Sequence, residues 1–429
     1  MRRLLSSIGF TLALLCPSLA FAQGPSSCTT TSQNLWVRDA LNEVYYWYQH
    51  LPTGVNPASF NSPEAYLEAV RYRPIDNAFS FIAPAAAQDA FYSDSQFIGY
   101  GFGNQTTANE IRVLQVYADS PASEAGLSRG DRIVTVNGRS VNAMVNDGTI
   151  GGAFGNPDIG VATSIEWETL AGERRSARMV KRLVTIPTVS LTSVVDVDGR
   201  KVGYLFFRNF VEPSTAALTD AFAALKTAGV NELVLDLRYN GGGLVDVAVD
   251  LASLIGGART NGQVMLNYVH NDKLGPVYNK TTRFKNPEQA LNLQRLVVIT
   301  TRSSASASEL LINSLRPYMP VTIIGDSTYG KPVGQYGLRF CDKILYPVAF
   351  SIKNANLEGD FFDGLSVDCA AGDDYTHQLG DSAEASFAEA LTFIRTGACS
   401  AQAAAESRAR RAPRFVFKPT GWASILNAQ

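Results

Sequence analysis

Histidine is scarce in this chain, with only His50, His270 and His377 in 429 residues, all far apart. With no HxxxH spacing, and with five cysteines that form no CxxC, the usual zinc frameworks are excluded and no metal or cofactor is expected. An excess of charge of one sign is also lacking. Thirty-seven basic against thirty-nine acidic side chains give a formal net charge of -2, which offers no field to draw nucleic acid or an anionic membrane. The one basic cluster, Arg408, Arg410, Arg411 and Arg414, sits in the tail and reads as a solvated end. The N-terminal apolar run, Ile8 to Leu15, is too short and too soon broken by Pro17 to span a bilayer.

That N-terminus carries a different signal. Arg2 and Arg3 precede the apolar run, and Ala20-Phe21-Ala22 supplies small residues for a signal peptidase. The expectation is a signal peptide over 1–22, cleaved after Ala22, and an exported product in the periplasm or outside the cell. Cys16 follows Leu15 rather than the small residue of a lipoprotein signal. Its removal leaves Cys28, Cys341, Cys369 and Cys399, an even number that suits disulfides in an oxidising compartment. Three pairings are open. Proximity along the chain favours Cys341–Cys369 with Cys28–Cys399.

A chain this long suggests two or three domains at roughly 150 residues each, and an apolar fraction of 46% allows each a core. Leu35–Gln49 has helical periodicity, and Ser62-Pro63-Glu64 reads as cap, first-turn proline and N-terminal acid of a second helix. These define a helical region over 23–88. From 89 to 185 the texture is short β runs, including Ile111–Tyr117 and Arg132–Val136, with a short helix over Ala122–Leu127. From 186 to 400 strands and helices alternate. Strands are expected at Val202–Phe206, Glu232–Leu237, Leu296–Thr300 and Val321–Ile324. Helices are expected from Ser214 to Leu225, at Val245–Ile255 and at Ala307–Leu315. That order implies an α/β core with helices covering a sheet, so the whole is a multidomain α/β protein. Residues 401–429 remain as a tail.

Three segments carry candidate chemistry. In Thr300–Leu311, TTRSSASASELL, a strand ends, small residues turn sharply and an apolar helix begins at Ser306. Free N–H groups and the positive dipole end there, that of Ala307 above all, suit an oxyanion. A serine needs a base, and Lys331, in the turn Tyr329-Gly330-Lys331-Pro332, serves if burial brings its pKa from about 10.4 toward 7–8. Asp236–Gly243, DLRYNGGG, ends a strand in three glycines whose N–H groups could form an anion nest. Each segment alone is as readily a linker, an exposed turn lysine or a flexible loop.

Two resemblances draw the pieces together. Ser120-Pro121-Ala122, Ala125-Gly126-Leu127, Gly130-Asp131-Arg132-Ile133 and Val136-Asn137-Gly138 resemble a PDZ domain. On that resemblance Gly99, Tyr100, Gly101 and Phe102 form its carboxylate-binding loop and would take a substrate's C-terminus. Val202–Phe210, Leu233–Gly243, Ser304–Leu311 and Ile323–Gln335 resemble the tail-specific, or C-terminal processing, peptidases of serine peptidase family S41. That resemblance implies a serine endopeptidase with Ser306 as nucleophile, Lys331 as base and Gln335 orienting the lysine. Oxyanion donors would come from Gly242 and Ala307, and protein or peptide substrates would enter by their C-termini, with a homo-oligomer or adaptor as further partners. The chain departs from the family pattern at Gly241, where proline is common, and at Pro332, where glycine is common.

Other readings start from the same residues. Gly325–Lys331 follows a phosphate loop up to its last position, where Pro332 stands instead of the magnesium-binding Ser or Thr. An inactive PDZ scaffold would not need Ser306, Lys331 and Gln335 together. An esterase would carry a G-x-S-x-G elbow, whereas alanines flank Ser306.

Overall fold

The computed structural model describes residues 24–106 and 110–410. The expected signal peptide and residues 411–429 lie outside the described residues, and the first ten residues of the tail expected over 401–429 form the helix Ala401–Arg410. The centre is a six-stranded sheet in the order 189–197, 200–207, 232–236, 296–300, 321–325, 369–370; its first pair is antiparallel and the rest are parallel. A parallel strand is buried on both faces, and the alternation is visible along the chain. Leu205, Phe207, Leu233, Leu235, Leu296 and Val298 pack under the helices Ser214–Thr227, Val245–Gly256 and Ala307–Leu315. Val202, Tyr204, Phe206, Val234, Val297 and Ile299 face the helices Ala385–Thr396 and Ala401–Arg410 instead. Each such fully buried leucine or phenylalanine contributes roughly 2–3 kcal/mol from water exclusion alone.

Residues 102–180 form a separate antiparallel sheet in the order 102–106, 111–116, 132–136, 162–168, 174–180, with its own core around Phe102, Ile133 and Trp167. The strand 102–106 is an edge of this sheet. A short pair, 96–99 with 182–185, closes its neck.

The N-terminal segment holds the helices Thr30–Val44 and Pro63–Val70, the second capped by Ser62 Oγ on Ala65 N–H at 3.1 Å with Pro63 in its first turn. The first helix stops at Val44, short of the expected Gln49. Tyr46 N–H is taken by Val348 O at 2.7 Å and Tyr45 hydroxyl by Asp76 at 2.9 Å, so tertiary pairing overrides helical periodicity there. Phe81–Pro84 then joins the hairpin of Leu338–Phe340 and Lys343–Tyr346, pairing with its second strand. Ser214 opens its helix, but its hydroxyl donates backward to Asn209 O instead of capping.

The disulfides correct the pairing expected from chain proximity. They are Cys28–Cys341 and Cys369–Cys399. Trp36 stacks on Phe340, and this brings the first helix and Cys28 onto the hairpin that carries Cys341. Cys399 comes just before the helix Ala401–Arg410, which lies on the edge strand Cys369–Ala370, its Ser407 Oγ accepting from Ala370 N–H at 2.7 Å. Fold neighbourhood, not sequence distance, decides the partners. Among the described residues no helix is long and apolar enough to cross a membrane.

Candidate active site

Ser306 occupies the N-cap of the helix Ala307–Leu315 with φ 55° and ψ -112°, a conformation that L residues rarely adopt. Neighbouring serines do structural work. Ser304 Oγ donates to Leu237 O at 2.8 Å, and Ser308 Oγ donates to Asn240 O at 3.0 Å. Ser306 instead lines a cleft of about 440 Å³ together with Ala307, Lys331 and Gln335. The cleft floor and walls include Val245, Leu310, Phe350 and Ile352.

Glu309, one turn into the helix and fully buried, was not singled out in the sequence. Its Oε2 accepts from Ser306 N–H at 2.9 Å and Lys331 N–H at 2.8 Å, and its Oε1 from Gly330 N–H and Thr328 Oγ1 at 2.6 Å each. One carboxylate thus ties the serine segment to the lysine segment. Burial pushes its pKa up, and the four hydrogen bonds oppose that push. The lysine turn must come close to its neighbours: a Cβ on Gly330, where φ is +98°, would lie 2.2 Å from Phe362 O.

Lys331 Nζ donates to Gln335 Oε1 at 2.5 Å. Gln335 is held in turn, its amide donating to Phe79 O at 2.6 Å and Tyr346 O at 2.8 Å. Burial pushes the lysine pKa down to about 8, while Asp76 and Glu309 work to raise it. The three histidines are elsewhere. His50 stacks on Tyr72, His270 lies between Asn279 and Tyr336, and His377 pairs with Asp374.

The glycine turn lies against Ser306. A Cβ on Gly242 would stand 2.8 Å from Ser306 Cβ and 2.9 Å from Ala307 N. The role expected for Gly242 needs correction, however, because its N–H donates to Asn240 Oδ1 at 2.9 Å. Gly241, Gly243 and Ala307 line the cleft, and their N–H groups have no protein acceptor among the described residues. Behind the turn is a buried charge network. Arg238 pairs with Asp236 and Glu384, and Arg129, from the 102–180 sheet, donates to Asp373 and to Tyr239 hydroxyl at 2.8 Å each. These partners are up to 244 residues apart in sequence, which is why no local pattern announces them.

In the region of the edge strand 102–106, Gly101 has φ +90°, and a Cβ there would sit 2.1 Å from Ser120 Cβ. Tyr100 and Phe102 are fully buried under Phe154, with ring centroids 6.2 and 5.8 Å away, and Gly99 ends the preceding strand. Phe154 was not anticipated.

Three family models match in chain order: the peptidase S41 N-terminal domain at 32–81, a PDZ domain at 112–147 and peptidase family S41 at 201–354. The segment 201–354 is thus a peptidase family S41 domain. A CtpA-like serine protease of Staphylococcus aureus is 25% identical over 271 residues, covering 63% of this chain and 51% of the relative. The chain therefore spans about half the length of that relative. An S41 protease of Bacteroides fragilis shares 27% identity with a TM-score of 0.67, over 84% of this chain and 97% of the other. The photosystem II D1 C-terminal processing protease aligns at 21% identity and a TM-score of 0.50, over 80% of this chain and 93% of the other. At that identity the likeness is one of fold.

Proposed function

We propose that this chain is an exported serine endopeptidase acting through a Ser306–Lys331 dyad. The observation that carries this reading is the Glu309 carboxylate, which holds the backbones of both residues at the rim of one cleft. A lysine brought to about 8 is neutral often enough near pH 7–8 to accept the Ser306 proton. The freed alkoxide attacks a peptide carbonyl, and the leaving amine takes the proton from Lys331. Water, activated by the same amine, then hydrolyses the acyl-enzyme. Ala307 N–H and an unpaired N–H of Gly241 or Gly243 serve the tetrahedral oxyanion, with Asn240 stiffening the turn through Gly242. The apolar part of the cleft lining, Val245, Leu310, Phe350 and Ile352, favours an apolar side chain beside the cut.

The PDZ domain is assigned to capture of a substrate's C-terminal segment. The edge strand 102–106 can pair with an extended peptide, beside the loop Gly99–Phe102. Two disulfides support an oxidising compartment, the periplasm or the medium, and so an export signal over 1–22.

The test is proteolysis of an unfolded protein by the purified chain beside Ser306→Ala and Lys331→Ala. Cleavage by the parent and loss of at least about 1,000-fold in both variants is expected for a paired nucleophile and base. Equal cleavage by all three would remove the assignment, and no cleavage by any would favour a PDZ binding protein without catalysis.

A further inference from the structure

Part of what holds the base in place comes from outside the catalytic sheets. Both amide hydrogens of Gln335 are committed, to Tyr346 O and to Phe79 O, so the amide cannot flip and Oε1 is left facing Lys331. Tyr346 belongs to the catalytic hairpin. Phe79 lies 256 residues earlier, at the end of the N-terminal helical segment.

The carbonyl of Phe79 is set by a turn built on Asp76, which is fully buried. Asp76 Oδ1 accepts from Phe79 N–H and Ser80 N–H, both at 2.9 Å, and Oδ2 accepts from Tyr45 hydroxyl at 2.9 Å. Tyr45 oxygen in turn accepts from Tyr72 N–H at 3.0 Å. Ser80 fastens the turn to the catalytic region, its Oγ accepting from Val348 N–H at 2.9 Å while Arg71 donates to its carbonyl. A buried carboxylate satisfied on both oxygens is a rigid device, and its loss leaves several donors without partners.

We propose that the N-terminal segment is a working part of the catalytic apparatus, with Asp76 a positioning residue that fixes the Phe79 carbonyl, and through it Gln335 and the amine of Lys331. This rests on the Ser–Lys reading above. Asp76 from this turn and Glu309 from the helix that follows Ser306 are the charged groups acting on Lys331, with Tyr329 and Arg71 the titratable neighbours of that pair. Both carboxylates favour the ammonium form, so removing the Asp76 charge lowers the pH at which Lys331 loses its proton.

Two substitutions separate geometry from charge. Asp76→Asn keeps an acceptor for Phe79 and Ser80 but removes the charge, whereas Asp76→Ala removes both. Cleavage of an unfolded protein against pH is measured for the full chain, both Asp76 variants and Ser306→Ala. Competitive acylation of Lys331 read by mass spectrometry runs beside it and reports the lysine's protonation midpoint without turnover. Asp76→Ala is expected to lower kcat about 10–100-fold with KM within about twofold. Asp76→Asn is expected to recover most of kcat and to move both the acid limb and the acylation midpoint down by roughly half a unit to one unit. If Asp76→Ala lowers the melting temperature yet keeps kcat and the Lys331 midpoint, Asp76 is merely structural and the proposal fails. If Asp76→Ala does not fold, Asp76→Asn decides, and an unchanged limb and midpoint overturn the idea. Should the parent not cleave, or Ser306→Ala cleave equally, the dyad reading fails. The acylation midpoint then still judges Asp76, and an unshifted midpoint in both variants counts against it.

Discussion

Lys331 shows at the scale of one residue how function and stability pull apart. Its amine is pushed from an ordinary lysine value down to about 8, chiefly by burial. A base must be unprotonated, so kcat/KM is expected to rise with pH through about 8 and to level off above it. A flat profile between pH 6 and 9 would remove lysine as the base. The sign for stability follows from the same displacement. Between about 8 and the unfolded value the unfolded chain binds the extra proton, so this residue's contribution to stability rises with pH across that window. Below it the ammonium is carried in the fold at full cost. Lys331→Met should therefore be inactive yet more stable than the parent at pH 7, by roughly 2–3 kcal/mol, as chemical denaturation would reveal. Lysine was legible in the sequence because it sits in a recognisable turn. Glu309 was not, because a glutamate in the first turn of a helix reads as an ordinary dipole partner until its other hydrogen bonds, 19 to 22 residues away, are seen.

At the scale of elements, the decisive objects are two strand ends and one helix start that meet without side-chain volume between them. Gly242, with φ +102°, stands where any Cβ would press on Ser306 and Ala307. Gly242→Ala is expected to lower kcat by about 100-fold or more and to lower the melting temperature as well, since at that φ the added Cβ meets Ala305 O, Ser306 Cβ and Ala307 N within 2.9 Å. A parent-like kcat would show that the turn has no part in catalysis. The family resemblance implies an oxyanion donor in the glycine turn, for which Gly242 is the expected residue. It could not show that Asn240 folds its own side chain back onto the N–H of Gly242. The same contrast holds for the first helix. Its periodicity continues past Val44, but strand-like pairing of Tyr46 with Val348 is the stronger constraint.

At the scale of the whole molecule, the N-terminal segment is clamped to the catalytic hairpin by a strand pairing, by the Asp76 turn and by Cys28–Cys341, which closes a separation of 313 residues. Replacing both cysteines with serine is expected to cost about 2–4 kcal/mol and to lower the melting temperature, which scanning calorimetry would measure. Because the clamp holds the Phe79 carbonyl against Gln335, activity of that variant should fall at temperatures below global unfolding. If activity and unfolding midpoints stay together, the N-terminal segment does not loosen independently of the core.

The sequence by itself determined most of the elements and supplied the candidate residues of the proposed dyad. Strand and helix positions from Val202 to Ile324 follow from local periodicity, and Ser306, Lys331 and Gln335 stand in short contiguous motifs whose spacing the chain itself carries. Only the tertiary structure decided the rest. Disulfide partners, the Glu309 brace, the committed N–H of Gly242 and the seat of Gln335 on Phe79 all join segments or orient groups through contacts in space. Local sequence encodes which conformations a segment can take; which neighbour satisfies a buried donor or charge is settled when distant segments compete for the same hydrogen bond.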